Sequence, residues 1–181
     1  MTNETEKKIL NAALNVFARK GRDAATTKAI AEKAGRTEMT LFRKFGTKKN
    51  LFDLVMIQNM EKMREDIKAI IDDMDNKYDT PEAFIEEYIK RSVILYENNI
   101  EAFTLIISDD NENVDPLMGN LNNYVSDFIG RNLPKETIDP KILGIYINTY
   151  VYSLTLEVFN GRDVGFDERI DGLINNLKLC F

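Results

Sequence analysis

Residues 26–52, TTKAIAEKAGRTEMTLFRKFGTKKNLF, contain two short helical patterns separated by a glycine, then the start of a third. Thr26 is placed to cap a helix over 27–34, because its hydroxyl can accept from an unpaired N–H of the first turn. Within that helix Ile30, Ala31 and Ala34 face inward, and small side chains permit a close helix crossing. Gly35 supplies the positive φ that stops it. Thr37 can then cap a second helix over 38–44 that buries Leu41 and Phe45. That leaves Glu38, Met39, Thr40, Phe42, Arg43 and Lys44 available to a DNA major groove, the layout of a helix-turn-helix.

Upstream, ILNAALNVFARKG places Ile9, Leu10, Ala13, Leu14 and Phe17 at three- and four-residue spacing and ends at Gly21. This helix, ATTKAIAEKAG, TLFRKFGTKKNLF with its Leu-Phe-x-x-Phe core, and the Lys-Lys pair before a long helix together resemble the N-terminal domain of the TetR family of bacterial transcriptional regulators. The resemblance runs from about Glu6 to Leu54. It implies an all-α protein with a three-helix DNA-binding domain at 1–50. A long helix then leads into a helical ligand-binding and dimerisation domain at 51–181. Two positions depart from the family pattern. Arg36 stands where an apolar residue is usual and can point outward to a phosphate. Phe42 stands where Tyr is common, which removes a phosphate hydrogen bond that Lys44 or Lys48 can replace.

Charge points the same way without the family. Residues 1–50 hold 12 Lys and Arg against 5 Asp and Glu, net +7, and residues 51–181 hold 12 against 25, net −13. An overall charge of −6 therefore conceals a basic domain on an acidic body, which repels the duplex and orients binding. The 44% hydrophobic content, with only 9 Gly and 4 Pro, suits helical packing around one good core or two modest ones. Cys180, the single cysteine, excludes an intrachain disulfide, and there is no histidine, the commonest general base and metal ligand. No apolar signal region follows Met1 and no run of eighteen apolar residues occurs, so a cytoplasmic protein is expected.

Beyond the basic domain, Thr47 can cap a helix over 48–76, roughly 40 Å long at 1.5 Å per residue. Helices are predicted over 81–98, 100–108, 116–132, from 137–140 to near Asn160, and over 167–179. The acidic stretch Asp109 to Asp115 lacks the glycine and terminal glutamate of a calcium loop and reads as a solvated connection; neither metal nor cofactor is expected.

On DNA, Thr27, Lys28, Lys44 and Lys48, with Lys49, suit phosphates, which fix position without reading sequence. By the resemblance, Glu38, Met39, Thr40 and Arg43 lie closest to base edges, with Arg36, Thr37 and Phe42 around them. Arg43 suits either a guanine or a phosphate, Thr40 or Met39 a thymine methyl, and Glu38 either a cytosine amino group or its own helix dipole.

The resemblance also implies a small-molecule effector that moves the long helix and changes the spacing of the two recognition helices; a preference of roughly 1–3 kcal/mol for one state suffices. Met60, Met63, Phe84, Tyr88, Tyr96, Phe103, Ile107, Tyr124, Phe128 and Tyr150 are the candidate pocket walls, rich in adaptable Met and in Tyr with a polar tip. Each taken singly also fits plain core packing. In the family the terminal two helices pair with those of a second subunit. Ile142, Ile145, Tyr146, Thr149, Tyr152 and Leu156 make an apolar face compatible with that, as do Ile170, Leu173, Ile174 and Leu177, and Gly144 and Ser153 can allow close approach. The same face can equally pack within its own domain; a pseudo-palindromic operator favours the homodimer.

Three functions from different classes remain. One is a homodimeric, ligand-responsive DNA-binding regulator, most often a repressor in this family. Another is a TetR-like DNA-binding protein controlled by a protein partner or acting in chromosome organisation. The third is an enzyme, for which no catalytic constellation stands at workable spacing.

Overall fold

The computed structural model describes residues 4–75, 77–108, 114–133 and 139–181, with backbone alone for 114–122. These residues form eight helices: α1 (Glu4–Ala24), α2 (Thr27–Lys33), α3 (Glu38–Phe45), α4 (Lys48–Met74), α5 (Pro81–Ser108), α6 (Val114–Asn132), α7 (Pro140–Phe159) and α8 (Phe166–Lys178). No strand occurs among them, and the protein is all-α. The chain divides into two compact units, Met1–Met63 with Glu101–Asp110, and Arg64–Ile100 with Asn111–Phe181.

In the first unit, three threonines start three successive helices. Thr26 Oγ1 accepts from Ala29 N (3.2 Å), Thr37 Oγ1 from Thr40 N (3.2 Å) and Thr47 Oγ1 from Asn50 N (3.0 Å). Gly35 and Gly46, at φ 61° and 74°, make the stops between them, a backbone region that favours glycine. The periodic apolar residues of α1 meet those of α2, α3 and α4: Ile9, Ala13, Phe17, Ile30, Leu41, Leu51 and Val55 are fully buried. Phe17 packs edge-on against Phe52 at 5.1 Å, and the Arg22 guanidinium lies 4.7 Å from the centre of the Phe52 ring. Glu101 accepts a hydrogen bond from the Asn15 side-chain amide, and Phe103, Leu105 and Ile106 are buried.

The Lys48 ammonium lies at the end of α1, donating to the carbonyls of Arg22 (2.9 Å), Asp23 (3.2 Å) and Ala25 (3.0 Å). Its three donors thus satisfy oxygens that the helix end leaves unpaired, where a positive charge is favoured.

In the second unit, α5 is kinked at Asn99 (φ −131°, ψ 15°), whose side-chain amide donates to Leu95 O (2.9 Å) and Asp66 Oδ2 (3.0 Å). The break predicted between 98 and 100 is therefore a kink within one helical run. Phe84, Phe128, Ile85, Ile89, Ile129, Ile147 and Val151 are fully buried. An alanine at Gly144 would put its Cβ 2.9 Å from Ile129 Cδ1, so this glycine serves α6 packing on α7 within the chain rather than the approach of a second subunit. Tyr88 OH and the Asn148 amide bond to each other at 3.0 to 3.1 Å, and burial pushes the Tyr88 phenol up to about 12. α8 is tied to α5 by Lys178 on Glu86, a carboxylate that Lys90 also contacts. α7 alone among the described helices is long and apolar enough, by length and composition, to cross a membrane; Leu143, Ile147, Val151 and Leu154 on it are core residues.

Two boundaries shift from the sequence reading. α6 begins at Val114 rather than Pro116, because a proline is tolerated in a first turn, whose N–H groups are unpaired in any case. α4 ends at Met74 rather than at 76, whereas the helix break read at Gly21 is present (φ 75°, ψ 163°), followed by one further turn to Ala24. The expected connection over Asp109 to Asp115 lies outside the described residues apart from Val114 and Asp115; of the expected helix opening over 137–140, Asp139 is the N-cap and Pro140 the first residue of α7, and 137–138 lie outside the described residues.

Two outcomes follow from these contacts. Lys48→Ala removes three charged donors from the end of α1 and lowers stability by about 1–2 kcal/mol, read as a reduced denaturation midpoint. Hydrogen bonds from Lys178 and then Lys90 pull the Glu86 carboxyl from 4.5 down to about 2. Its pairing therefore stabilises the fold above the ordinary carboxylate range and is lost as pH falls through about 2. Between those limits the melting temperature of the wild type falls more steeply with acid than that of Glu86→Gln.

Candidate nucleic-acid interface

α3 is amphipathic over two turns. Leu41 and Phe45 are buried, which turns Met39, Phe42 and Arg43 outward. Met39 is 80% exposed and Phe42 46%, unusually open for side chains of this size on so short a helix. Lys28, in the first turn of α2, and Arg43 are exposed cations without an ion pair or hydrogen bond among the described residues.

The other candidates have partners. Thr27 Oγ1 donates to Glu38 Oε1 at 2.5 Å, tying the first residue of α2 to the first of α3. The starts of α2 and α3 are thereby held near each other, with the Glu38 carboxylate at the positive end of its own helix. Glu38 thus acts first on its own helix and on Thr27. Thr40 and Thr37 share a hydroxyl contact at 3.0 Å, and the Arg36 guanidinium turns back to the Gly35 carbonyl at 2.9 Å. Lys44 pairs with Glu6 of α1 at 2.8 Å, with only 17% of its side chain exposed. Lys48 was expected at a phosphate, but its three donors are occupied by the end of α1. Its long side chain reaches back into the fold because α4 starts directly beside that helix end.

Three exposed polar residues absent from the sequence reading gather near this surface. Lys8 and Asn11 of α1 and Lys33 of α2 line an open groove with Ala12, Ala34, Gly35 and Arg36. Lys33 is 22 positions from Asn11 and 25 from Lys8, and only the crossing of α1 with α2 brings it to them.

The expected effector-pocket residues divide between the units: Met60, Met63, Phe103 and Ile107 in the first, and Phe84, Tyr88, Tyr96, Tyr124, Phe128 and Tyr150 in the second. Phe84, Tyr88 and Phe128 fill the second core with mutual ring contacts of 5.3 to 6.2 Å. Tyr96 packs on Tyr152 at 5.8 Å. Ile107 and Tyr124 are exposed, so neither is a wall of a closed cavity within its own unit. Tyr150 stacks with Tyr146 on α7 and lines a groove of about 520 Å³ between α7 and α8, not the aromatic core. The buried hydroxyl of Thr104, one residue along from Phe103, has no hydrogen-bond partner among the described residues.

The expected subunit-contact residues also separate. Ile170, Leu173, Ile174 and Leu177 are buried by their own chain, because α8 uses this stripe to pack on its own unit. On α7, Ile142 (65% exposed), Ile145 (47%) and Tyr146 (52%) stay open, Thr149 is exposed, and Tyr152 and Leu156 are half-buried. No cluster of three metal-ligating side chains occurs among the described residues.

Residues 9–55 match the model of bacterial regulatory proteins of the tetR family. An uncharacterized HTH-type transcriptional regulator of Bacillus subtilis, YvkB, is 46% identical over 55 residues, 30% of this chain and 29% of that protein. The match thus spans less than a third of that relative. Over nearly the whole chain the fold is that of a TetR-like transcriptional regulator from Rhodococcus sp. RHA1 (TM-score 0.69, 15% identity, covering 98% of this chain and 94% of that one). It is similar as well to the regulator FadR of Bacillus subtilis, solved with stearoyl-CoA (TM-score 0.62, 18% identity, covering 97% and 98%). Residues 9–55 thus match the tetR-family model, and over nearly its whole length the chain is similar in fold to a TetR-like transcriptional regulator of known structure.

Proposed function

We propose that this protein is a homodimeric, sequence-specific DNA-binding transcriptional regulator of the cytoplasm, a repressor released from a pseudo-palindromic operator by a small, largely apolar ligand. The observation that carries the reading is the open face of α3, with Met39, Phe42 and Arg43 outward, within residues 1–50, which carry net +7. In this reading Lys28 holds a phosphate. Arg43 takes a guanine edge, and Met39 and Thr40 meet thymine methyls. Arg36, Thr37 and Phe42 line the backbone beside them, and Glu38 and Lys44 hold α3 in position through Thr27 and Glu6.

Dimerisation is supported by the apolar stripe of Ile142, Ile145, Tyr146 and Thr149 on α7, whose other face is buried in its own unit. An apolar effector is supported by the FadR neighbour solved with stearoyl-CoA and by the aromatic and methionine content of the predicted walls. Among the described residues the carboxylates with lowered pKa, Asp73 and Glu86, are surface ion-pair partners.

The test is selection of bound duplexes from a random double-stranded pool. An enriched pseudo-palindrome is the expected result, and absence of any enriched sequence from folded, helical protein refutes the reading. On the selected site, Lys28→Ala weakens binding to all sequences alike and flattens the slope of log K against log salt by about one. Arg43→Ala instead changes the base preferred at its position, at about 1–3 kcal/mol of discrimination, visible when the selection is repeated with the variant.

A further inference from the structure

We propose that the groove between α1 and the α2–α3 turn is a second DNA contact, a channel for the sugar-phosphate strand flanking the base pairs that α3 reads. The proposal rests on the function given above and extends its contact surface to Lys8, Asn11 and Lys33.

The groove has a volume of about 590 Å³ and is lined by Lys8, Asn11, Ala12, Lys33, Ala34, Gly35 and Arg36. Three cations from two separate segments, Lys8 on α1 and Lys33 and Arg36 at the end of α2 and in the turn after it, thus face one concavity whose lining contains no acid. Their mutual repulsion is relieved by an anion from outside. One acid stands alongside: Glu4 pairs with Lys8 at 3.3 Å with both side chains more than half exposed, a weak contact that a phosphate can replace, and Glu32 does not line the groove. Lys33 has no ion pair or hydrogen bond among the described residues.

The floor selects the shape of the partner. Ala12 and Ala34 are small and nearly buried, and nothing lies within 4 Å of where a Cβ on Gly35 would stand, so a strand can lie close to the backbone. The backbone N–H groups of Gly35 and Arg36 are already bonded to Glu32 O and Ala31 O at 3.1 and 2.9 Å. The groove therefore lacks the converging N–H groups that cradle an isolated phosphate. Long, mobile side chains along an open channel fit a continuous polyanion instead.

Its position fits the same duplex. Arg36 closes the groove and is followed by Thr37, the N-cap of α3, and then by Glu38 and Met39. At no more than about 3.6 Å per residue, Met39 lies within roughly 11 Å of Arg36. A strand bordering the major groove at the start of α3 thus passes Arg36 and continues along Lys33 and Lys8.

The test uses the full chain, fluorescence anisotropy and a duplex of about 40 base pairs carrying the selected site, titrated over a range of salt. The comparison is wild type against the double variant Lys8→Ala/Lys33→Ala. The expected result is a salt slope smaller by about two, affinity lower by roughly tenfold near physiological salt, and an unchanged pattern of selected bases. Lys33→Arg retains the wild-type slope. Trimming the duplex to the base-read positions removes the difference between wild type and double variant. Salt-dependent binding by the wild type with the same slope and affinity in the double variant overturns the groove alone. A wild type that binds no duplex overturns the functional reading and the groove with it. Equal circular-dichroism melts of wild type and double variant identify the loss as one of contact rather than folding.

Discussion

Within the first unit, the interaction on which the arrangement turns is the ammonium of Lys48 held by three carbonyls at the end of α1. A helix end exposes oxygens that need donors, and the first residue of α4 supplies them. Where α4 starts is therefore fixed against α1, and the residues that follow, Leu51, Phe52 and Val55, complete the core around Phe17. α2 and α3 are clasped to that frame by short-range devices: a threonine at each N-cap, a left-handed glycine after α3, and the Thr27–Glu38 hydrogen bond between their first residues.

That frame sorts the charges of the basic half. Lys48 and Lys44 stabilise the fold, one on carbonyls and one on Glu6, while Lys28 and Arg43 point into water. Charge count alone treats these four cations alike. Side-chain reach and the starting point of each helix divide them, since a lysine beside a helix end finds partners inside the protein and one on an outward helix face does not. Lys8, Lys33 and Arg36 line one groove because the crossing of α1 with α2 brings a residue of α1 next to the α2–α3 turn.

α7 shows the same division on one helix. It is apolar nearly all round, which by itself fits a core helix, an interface helix or a membrane span. Packing resolves its faces: Gly144 lets Ile129 approach, Leu143, Ile147, Val151 and Leu154 fill the core, and Ile142, Ile145 and Tyr146 remain uncovered. α8 differs in using its whole apolar stripe inside the unit, with Lys178 tied to Glu86 of α5.

The sequence by itself determined the all-α class, the start of each early helix and the helix-turn-helix, because caps, glycine stops and apolar periodicity act within a few residues. It also identified Met39, Phe42 and Arg43 as outward, since the inward positions of so short a helix leave no alternative. Tertiary structure alone decided which cations have partners, that Gly144 serves α6, that Tyr150 stands with Tyr146 on α7, and that Lys8 meets Lys33. These depend on contacts between segments distant in the chain, and no local periodicity encodes the distance between two side chains on different helices.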